Sequence, residues 1–208
     1  MTFDDLFTQA TGFARPFPWQ RLLAVRETPA RVIVAPTGAG KTEAVLLDWL
    51  WRRLFHPDPT VRATTPRRLV LALPMRVLVE QTVGRVASAL RRLSEKSALD
   101  QEIPVYQLMG GAADDTWVLE PASEAVLVGT IDMLLSRALN RGFGRGRASW
   151  PIDFGLLNSD CQWVFDEIQL MDAAVATSCQ LEAHRARFAV AAPTRTVWMS
   201  ATLDPSWL

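Results

Sequence analysis

Ala35-Pro-Thr-Gly-Ala-Gly-Lys-Thr42 joins an apolar run, Arg31-Val-Ile-Val-Ala35, to a helical pattern that starts near Lys41. Strand, glycine-rich turn and helix N-terminus in that order aim backbone N–H groups at a bound anion, helped by a helix dipole worth about half a unit charge. Gly38 and Gly40 let the backbone close around phosphates, Lys41 has the reach for their β and γ oxygens, and the Thr42 hydroxyl suits a Mg²⁺ ligand. Thr37, Gly38, Ala39, Gly40, Lys41 and Thr42 are therefore the expected nucleotide-binding set. An ordinary turn with an exposed lysine has the same composition, and the strand-to-helix context argues against it. The general pattern begins with glycine where this chain has Ala35, so the loop alone does not say which kind of phosphate-loop protein this is.

A length of 208 residues, 49% of them apolar, suits one large domain, able to bury about 70% of its unfolded surface. No apolar run approaches the roughly 20 residues needed to span a membrane, and the start, MTFDDLF, is acidic where a secretion signal would be basic. The expected location is the cytoplasm. Cys161 and Cys179 lack metal-ligand spacing and read as buried free thiols. Lysine plus arginine (22) balances aspartate plus glutamate (22), so any nucleic-acid contact has to be local. Arg62, Arg67 and Arg68 form one basic group, read as a solvated face, and Arg141, Arg145 and Arg147 another.

In chain order, a weak helical pattern from Phe3 to Thr11 is broken by Gly12, Pro16 and Pro18 before a short helix from about Trp19 to Arg26, so that residues 1–28 form a helical extension. Phe17-Pro-Trp-Gln20 lies just upstream of the phosphate loop. The Gln20 amide matches the N6 and N7 edge of adenine, with Phe17 or Trp19 stacking on the base; the alternative is a core Trp19 and a solvent-facing Gln20. The phosphate-loop helix is expected to run from Lys41 to about Phe55, stopped by His56-Pro-Asp-Pro. After a polar connection, Leu69-Val-Leu-Ala-Leu73 reads as a strand buried on both faces, and Val79, Val83, Val86, Leu90 and Leu93 mark the next helix. Further strands are expected from Ile103 to Met109, ending in Gly110-Gly111, and over Ala125-Val-Leu-Val128, ending in Gly129-Thr130. A helix from Ile131 to Asn140 gives way to Arg-Gly-Phe-Gly-Arg-Gly-Arg147 and an irregular stretch to Asp160. Trp163-Val-Phe165 then leads into Asp166-Glu-Ile-Gln169, a helix from about Asp172 to Phe188, and a last strand, Thr194 to Met199, ending in Ser200-Ala-Thr202. This alternation predicts a parallel sheet with helices on both faces, and each polar motif follows a strand, so the motifs should line one sheet edge.

Asp166-Glu167 at a strand end complements the phosphate loop: Asp166 can hold the Mg²⁺ shared with Thr42, and Glu167 can orient or deprotonate a water attacking the γ-phosphate. Such a pair alone would only cap the next helix. Ser200 and Thr202 are placed to hydrogen-bond Gln169 and report the nucleotide state. The Arg141–Arg147 loop, with Phe143 to stack one base, could track a nucleic-acid strand or be a flexible linker.

Taken together, Ala35-Pro-Thr-Gly-Ala-Gly-Lys-Thr42, Pro74-Met-Arg76, Gly129-Thr130, Asp166-Glu-Ile-Gln169 and Ser200-Ala-Thr202 resemble motifs I, Ia, Ib, II and III of superfamily 2 helicases, in order, from about Gln20 to Thr202. Leu73-Pro-Met-Arg-Val-Leu-Val-Glu-Gln-Thr82 and Val128-Gly-Thr-Ile-Asp-Met-Leu-Leu-Ser-Arg-Ala-Leu-Asn-Arg-Gly-Phe143 look like the helicase part of the CRISPR-associated helicase-nuclease of type I systems. The resemblance implies a RecA-like three-layer α/β sandwich, the first lobe of an ATP-dependent motor on single-stranded DNA, recruited by an RNA-guided surveillance complex. It implies Gln20 on adenine, Lys41 and Thr42 on phosphates and Mg²⁺, and Asp166 and Glu167 in hydrolysis. Arg76, Gly110, Gly129, Thr130, Arg141 and Arg145 become the expected nucleic-acid contacts, and Gln169, Ser200 and Thr202 the coupling residues.

The chain departs from the family pattern in three places. Position 169 is Gln where many relatives have His; neither His56 nor His184 is followed by Asp, so no nuclease centre is expected; and the sequence stops soon after Thr202. The second lobe with its arginine finger, and the nuclease domain, are expected downstream or on a separate chain. Without the finger, worth ~10³ or more in rate, this lobe should bind ATP and hydrolyse it poorly. Two alternatives remain at this stage: a superfamily 2 motor on RNA or duplex DNA, and a stand-alone nucleotide-binding docking module.

Overall fold

Side chains two apart on a strand share a face, and in the sheet this alternation separates two cores. The computed structural model describes residues 1–142, 144–188 and 190–202. Its strands β1 (Val32–Val34), β2 (Arg68–Leu73), β3 (Val105–Leu108), β4 (Ala125–Thr130), β5 (Cys161–Phe165) and β6 (Arg195–Ser200) form one sheet in the order β1-β6-β5-β2-β4-β3. Every pairing is parallel. Leu69, Leu71 and Leu73 of β2 face one core together with Val126, Val128, Val164, Val197 and Met199, under helices α1 (Phe3–Thr11), α2 (Pro18–Val25), α3 (Lys41–Leu50) and α5 (Arg76–Glu95). Val70 and Ala72 face the other with Leu127, Trp163 and Phe165, under α6 (Ile131–Ala138), α7 (Trp150–Leu157) and α8 (Ala173–Arg187). Both faces are therefore covered, which is why the strand sequences read as continuous apolar runs.

Parallel strands point their carboxyl ends one way, so the loop after β1, Pro74–Arg76, Gly110-Gly111, Thr130, Asp166 and Ser200 all stand on one edge, as the alternation predicts.

Several elements differ from expectation for local reasons. Residues 59–64 are not a plain connection but helix α4 (Pro59–Thr64), started by Asp58, whose carboxylate accepts the Thr60 N–H at 2.7 Å, with proline at the first helical position. Residues 150–157 form α7; apart from Asp153 it is apolar all round, so its sequence carries no amphipathic period to find. The helix from Lys41 does not run regularly to Phe55: at Trp51 it widens into a π-helical turn, Trp51–Phe55. That turn carries Arg52 inward, where it donates to Asp48 at 2.7 Å and to the carbonyls of Leu23 (3.0 Å) and Arg26 (2.7 Å), tying α2 to α3. The basic group at residues 62–68 is not a solvated face. Arg68 is buried and donates to three carbonyls, those of Pro121, Leu156 and Ser159, while Arg67 pairs with Asp160. Of the two thiols Cys161 is buried, but Cys179 is exposed on α8. Among the described residues no helix is long and apolar enough to cross a membrane.

Candidate functional site

The loop between β1 and α3 turns at Gly38 (φ +81°) and Gly40 (φ +75°), both in the left-handed region that glycine enters without strain. Ala39 N–H donates to Pro36 O within the turn, at 3.2 Å, so this amide closes the loop on itself. No side chain caps α3, whose N-terminus opens with its first-turn N–H groups onto a cavity of about 190 Å³. Thr37, Gly38, Gly40, Lys41, Thr42, Asp166 and Glu167 all line it. The structure thus brings together residues separated by more than 120 positions in sequence.

Lys41 is buried and its Nζ donates to Ala35 O at 3.0 Å, with Glu167 Oε1 3.5 Å away. Glu167 holds a left-handed backbone (φ +59°), uncommon for a residue with a side chain and a form of strain that collects at functional sites. Its N–H donates to Asp166 Oδ1 at 2.9 Å, and its Oε2 accepts from Gln169 Nε2 at 2.5 Å. Gln169 Oε1 in turn lies 2.9 Å from Ser200 Oγ, whose single proton is shared between Gln169 Oε1 and Thr202 O, and Ser200 Oγ accepts the Thr202 N–H. The expected contact between Gln169 and the β6 end is present, extended by one more link to the Glu167 carboxylate.

Burial pushes the Asp166 carboxyl up to about 6, the neighbouring Glu167 carboxylate adds to the rise, and Lys41 opposes it. A folded value above the unfolded one means the ionised form is disfavoured in the native state. That penalty is absent below the unfolded value near 4 and complete above about 6. Asp166→Asn is therefore expected to stabilise the protein by about 3 kcal/mol at pH 7, a gain that is largely gone by pH 4. Thermal melts of both proteins across that range check it, and equal stability at pH 7 would contradict the assigned burial cost.

Gln20 is buried rather than solvent-facing: its Oε1 accepts the Phe17 N–H at 2.9 Å and its Nε2 donates to Gly40 O at 3.1 Å, joining α2 to the phosphate loop. Trp19 packs against the core, and Phe17 is exposed. Of the two aromatic candidates for stacking on a base, only Phe17 stands free. It borders a second, apolar cavity of about 580 Å³ with Phe7, Phe13, Gln20 and Glu43.

Among the residues expected to contact nucleic acid, Arg76 is exposed, with its guanidinium near Gly111, and Arg141 is exposed. Gly110 and Thr130 are half-buried. Arg145 is a correction. Its guanidinium turns inward onto Asp153 (3.1 Å) and Asp115 (3.1 Å), holding the loop to α7, so its charge is spent inside the protein. Gly129 lies buried in β4, where its lack of a side chain serves packing. Phe143 falls outside the described residues. The sequence reading missed Glu43 and Arg85, which pair across the site with Arg85 Nε 2.8 Å from Glu43 Oε1. A glutamate straight after the phosphate-loop threonine is visible in the sequence, but nothing there announces its partner on α5.

The donor set fits a hydrated metal that shares phosphate oxygens. The Thr42 hydroxyl and the second Asp166 oxygen make no hydrogen bond among the described residues, and both residues line the same cavity. No group of three or more His, Cys, Asp or Glu among the described residues could enclose a metal by itself. One carboxylate and one hydroxyl are the protein donors that a Mg²⁺ shared with substrate phosphates would use.

The model of the DEAD/DEAH box helicase family matches residues 19–208. No curated protein matches the chain. Among solved structures the fold is similar to a variant of S. cerevisiae Dbp5 bound to RNA and ADP BeF3, with TM-score 0.61 and 20% identity over 99% of this chain and 47% of that one. It is similar also to the yeast DEAD-box splicing factor Prp28, with TM-score 0.64 and 22% identity over 97% and 44%. The DUF1998 helicase MrfA bound to DNA and AMPPNP gives TM-score 0.67 and 17% identity over 97% and 26%. At these identities the likeness is one of fold, and the chain spans less than half the length of each.

Proposed function

Because the chain belongs to the DEAD/DEAH box helicase family, we propose that it is the first RecA-like lobe of an ATP-dependent helicase or translocase, binding ATP in the cavity at the start of α3. The observation that carries this is the meeting of Lys41, Thr42, Asp166 and Glu167 around one cavity. Gly38 and Gly40 let the loop close on the phosphates, and Lys41 exchanges its bond to Ala35 O for the β and γ oxygens. Thr42 and Asp166 would hold Mg²⁺, which when bound supplies neutralising charge along the phosphates. Glu167, anchored by Lys41 on one side and Gln169 on the other, orients the attacking water and takes its proton. The Glu167–Gln169–Ser200 chain then carries the state of that carboxylate to the end of β6.

The finer reading is a motor on single-stranded DNA in type I CRISPR interference, in the cytoplasm, recruited by an RNA-guided surveillance complex and completed by a second lobe and a nuclease domain. It is supported by the likeness of residues 73–82 and 128–143 to that helicase-nuclease. Arg76, Thr130 and Arg141 are its proposed strand contacts.

Titration of this chain with ATP tests the site: affinity should rise with Mg²⁺ in the wild type and lose that dependence in Asp166→Ala. Binding indifferent to Mg²⁺ in the wild type would sink the assignment. In the protein that carries the second lobe, ATPase stimulation by single-stranded DNA, RNA and duplex DNA at equal, stated salt separates the substrates, since backbone contacts dominate affinity. Stimulation by RNA or duplex alone would replace the single-stranded DNA reading.

A further inference from the structure

The cavity at the start of α3 and the apolar cavity beside Phe17 share three lining residues, Gly38, Gly40 and Arg85, and so form one continuous depression. In a nucleoside triphosphate the sugar lies between phosphates and base. With phosphates over Gly38–Thr42 and the base against Phe17, the polar side chains at the junction stand where the sugar passes. Besides Gln20, whose amide is taken up by the Phe17 N–H and Gly40 O, those side chains are Glu43 and Arg85. Glu43 extends from the first turn of α3, with Oε2 3.7 Å from where a Cβ on Gly40 would stand. Both are reachable from solvent, with side-chain exposures of 25% for Glu43 and 51% for Arg85.

A carboxylate beside a phosphate loop repels the very anion the loop binds, so its placement there needs a reason. Arg85 removes the repulsion by donating from Nε and Nη2 to Oε1 (2.8 and 2.6 Å) and from Nη2 to Oε2 (2.5 Å). A carboxylate has about four acceptor positions. Three are filled, leaving one on Oε2, the oxygen nearest the loop. An acidic side chain that accepts from a sugar hydroxyl is the means by which dinucleotide-binding folds recognise ribose.

We propose that Glu43 accepts a hydrogen bond from a ribose hydroxyl of the nucleotide and makes the site selective for ribonucleotides, with Arg85 neutralising the carboxylate so that the triphosphate is still admitted. This rests on the reading of the cavity as an ATP site. The experiment is to measure binding of ATP, 2′-deoxy-ATP and 3′-deoxy-ATP to the whole chain by calorimetry with Mg²⁺ present, for wild type and Glu43→Ala. Loss of the contacted hydroxyl should weaken wild-type binding by about tenfold or more, as for a hydrogen bond to a charged group. In Glu43→Ala the ratio should fall to near one, whatever happens to the absolute affinity. Equal binding of all three nucleotides to the wild type overturns the sugar contact while leaving the ATP site standing. Discrimination that survives in Glu43→Ala assigns it to another group and also overturns the proposal. If ATP itself does not bind, the ATP reading fails first and the sugar contact with it.

Discussion

Lys41→Ala is expected to weaken Mg²⁺·ATP binding by about 10–100-fold, the range for losing hydrogen bonds to a charged partner. It is also expected to change the protein without ligand. Lys41 is the cation set against two adjoining carboxylates, 3.5 Å from Glu167 and lowering the pKa of Asp166. Without it the Asp166 carboxyl moves above about 6, and the native state takes up a proton near neutrality. The stability lost should be about 1–2 kcal/mol at pH 8 and shrink as pH falls, because protonation removes the repulsion that Lys41 had balanced. Calorimetric titration measures the first effect, and melts at pH 8 and pH 5.5 the second. Unchanged affinity would remove Lys41 from the phosphate site, and a loss of stability equal at both pH values would show that its charge does not hold the carboxylate pair.

Gly129→Ala should cost about 3 kcal/mol or more of stability, at or above the upper end of what overpacking a core usually costs. A Cβ at this position would stand 2.4 Å from the backbone carbonyl of Leu108 and 3.0 Å from the Leu108 Cβ and Leu134 Cγ. The Leu108 oxygen belongs to the neighbouring strand and cannot rotate away, so β3 and β4 would have to separate. Denaturant unfolding of the variant beside Gly111→Ala checks this. Gly111 has open space apart from a flexible Arg76 tip at 3.9 Å, though its φ of +81° carries its own strain. A cost for Gly129→Ala below that of Gly111→Ala would contradict the close strand approach.

These two positions show what a sequence can and cannot say. Lys41 was legible because a phosphate loop is local: glycines, lysine and threonine sit within eight residues between a strand and a helix, and the parallel sheet followed from the alternation of apolar runs. Gly129 sits in a motif associated with nucleic-acid contact, yet its side-chain-free position answers to β3, some 20 residues away, and only the register of the sheet reveals that. Arg145 was misread for the same reason. An arginine between glycines looks free until Asp115 and Asp153 are brought against it. Helix α7 has no readable period because apolar residues stand on its exposed side too, Ile152 and Phe154 among them, while its one charged residue, Asp153, is buried; the Asp58-Pro59 start of α4, by contrast, is written in the sequence. The Gln169–Ser200 bond could be anticipated because both lie at strand ends of one sheet. The strained backbone of Glu167 could not, since no residue type there signals it.

Arg52 has a consequence for how the pocket can open. It bonds the end of α2 to α3, and Gln20 bonds the start of α2 to Gly40, so the walls that α2 and the Gly38–Thr42 loop give to the two cavities are fastened at both ends into one jaw. Such a jaw swings as a whole or not at all. On the opposite side the rim is joined by the Arg85–Glu43 ion pair between α5 and α3, which solvent can reach, so the cavity opens more readily there than along α2.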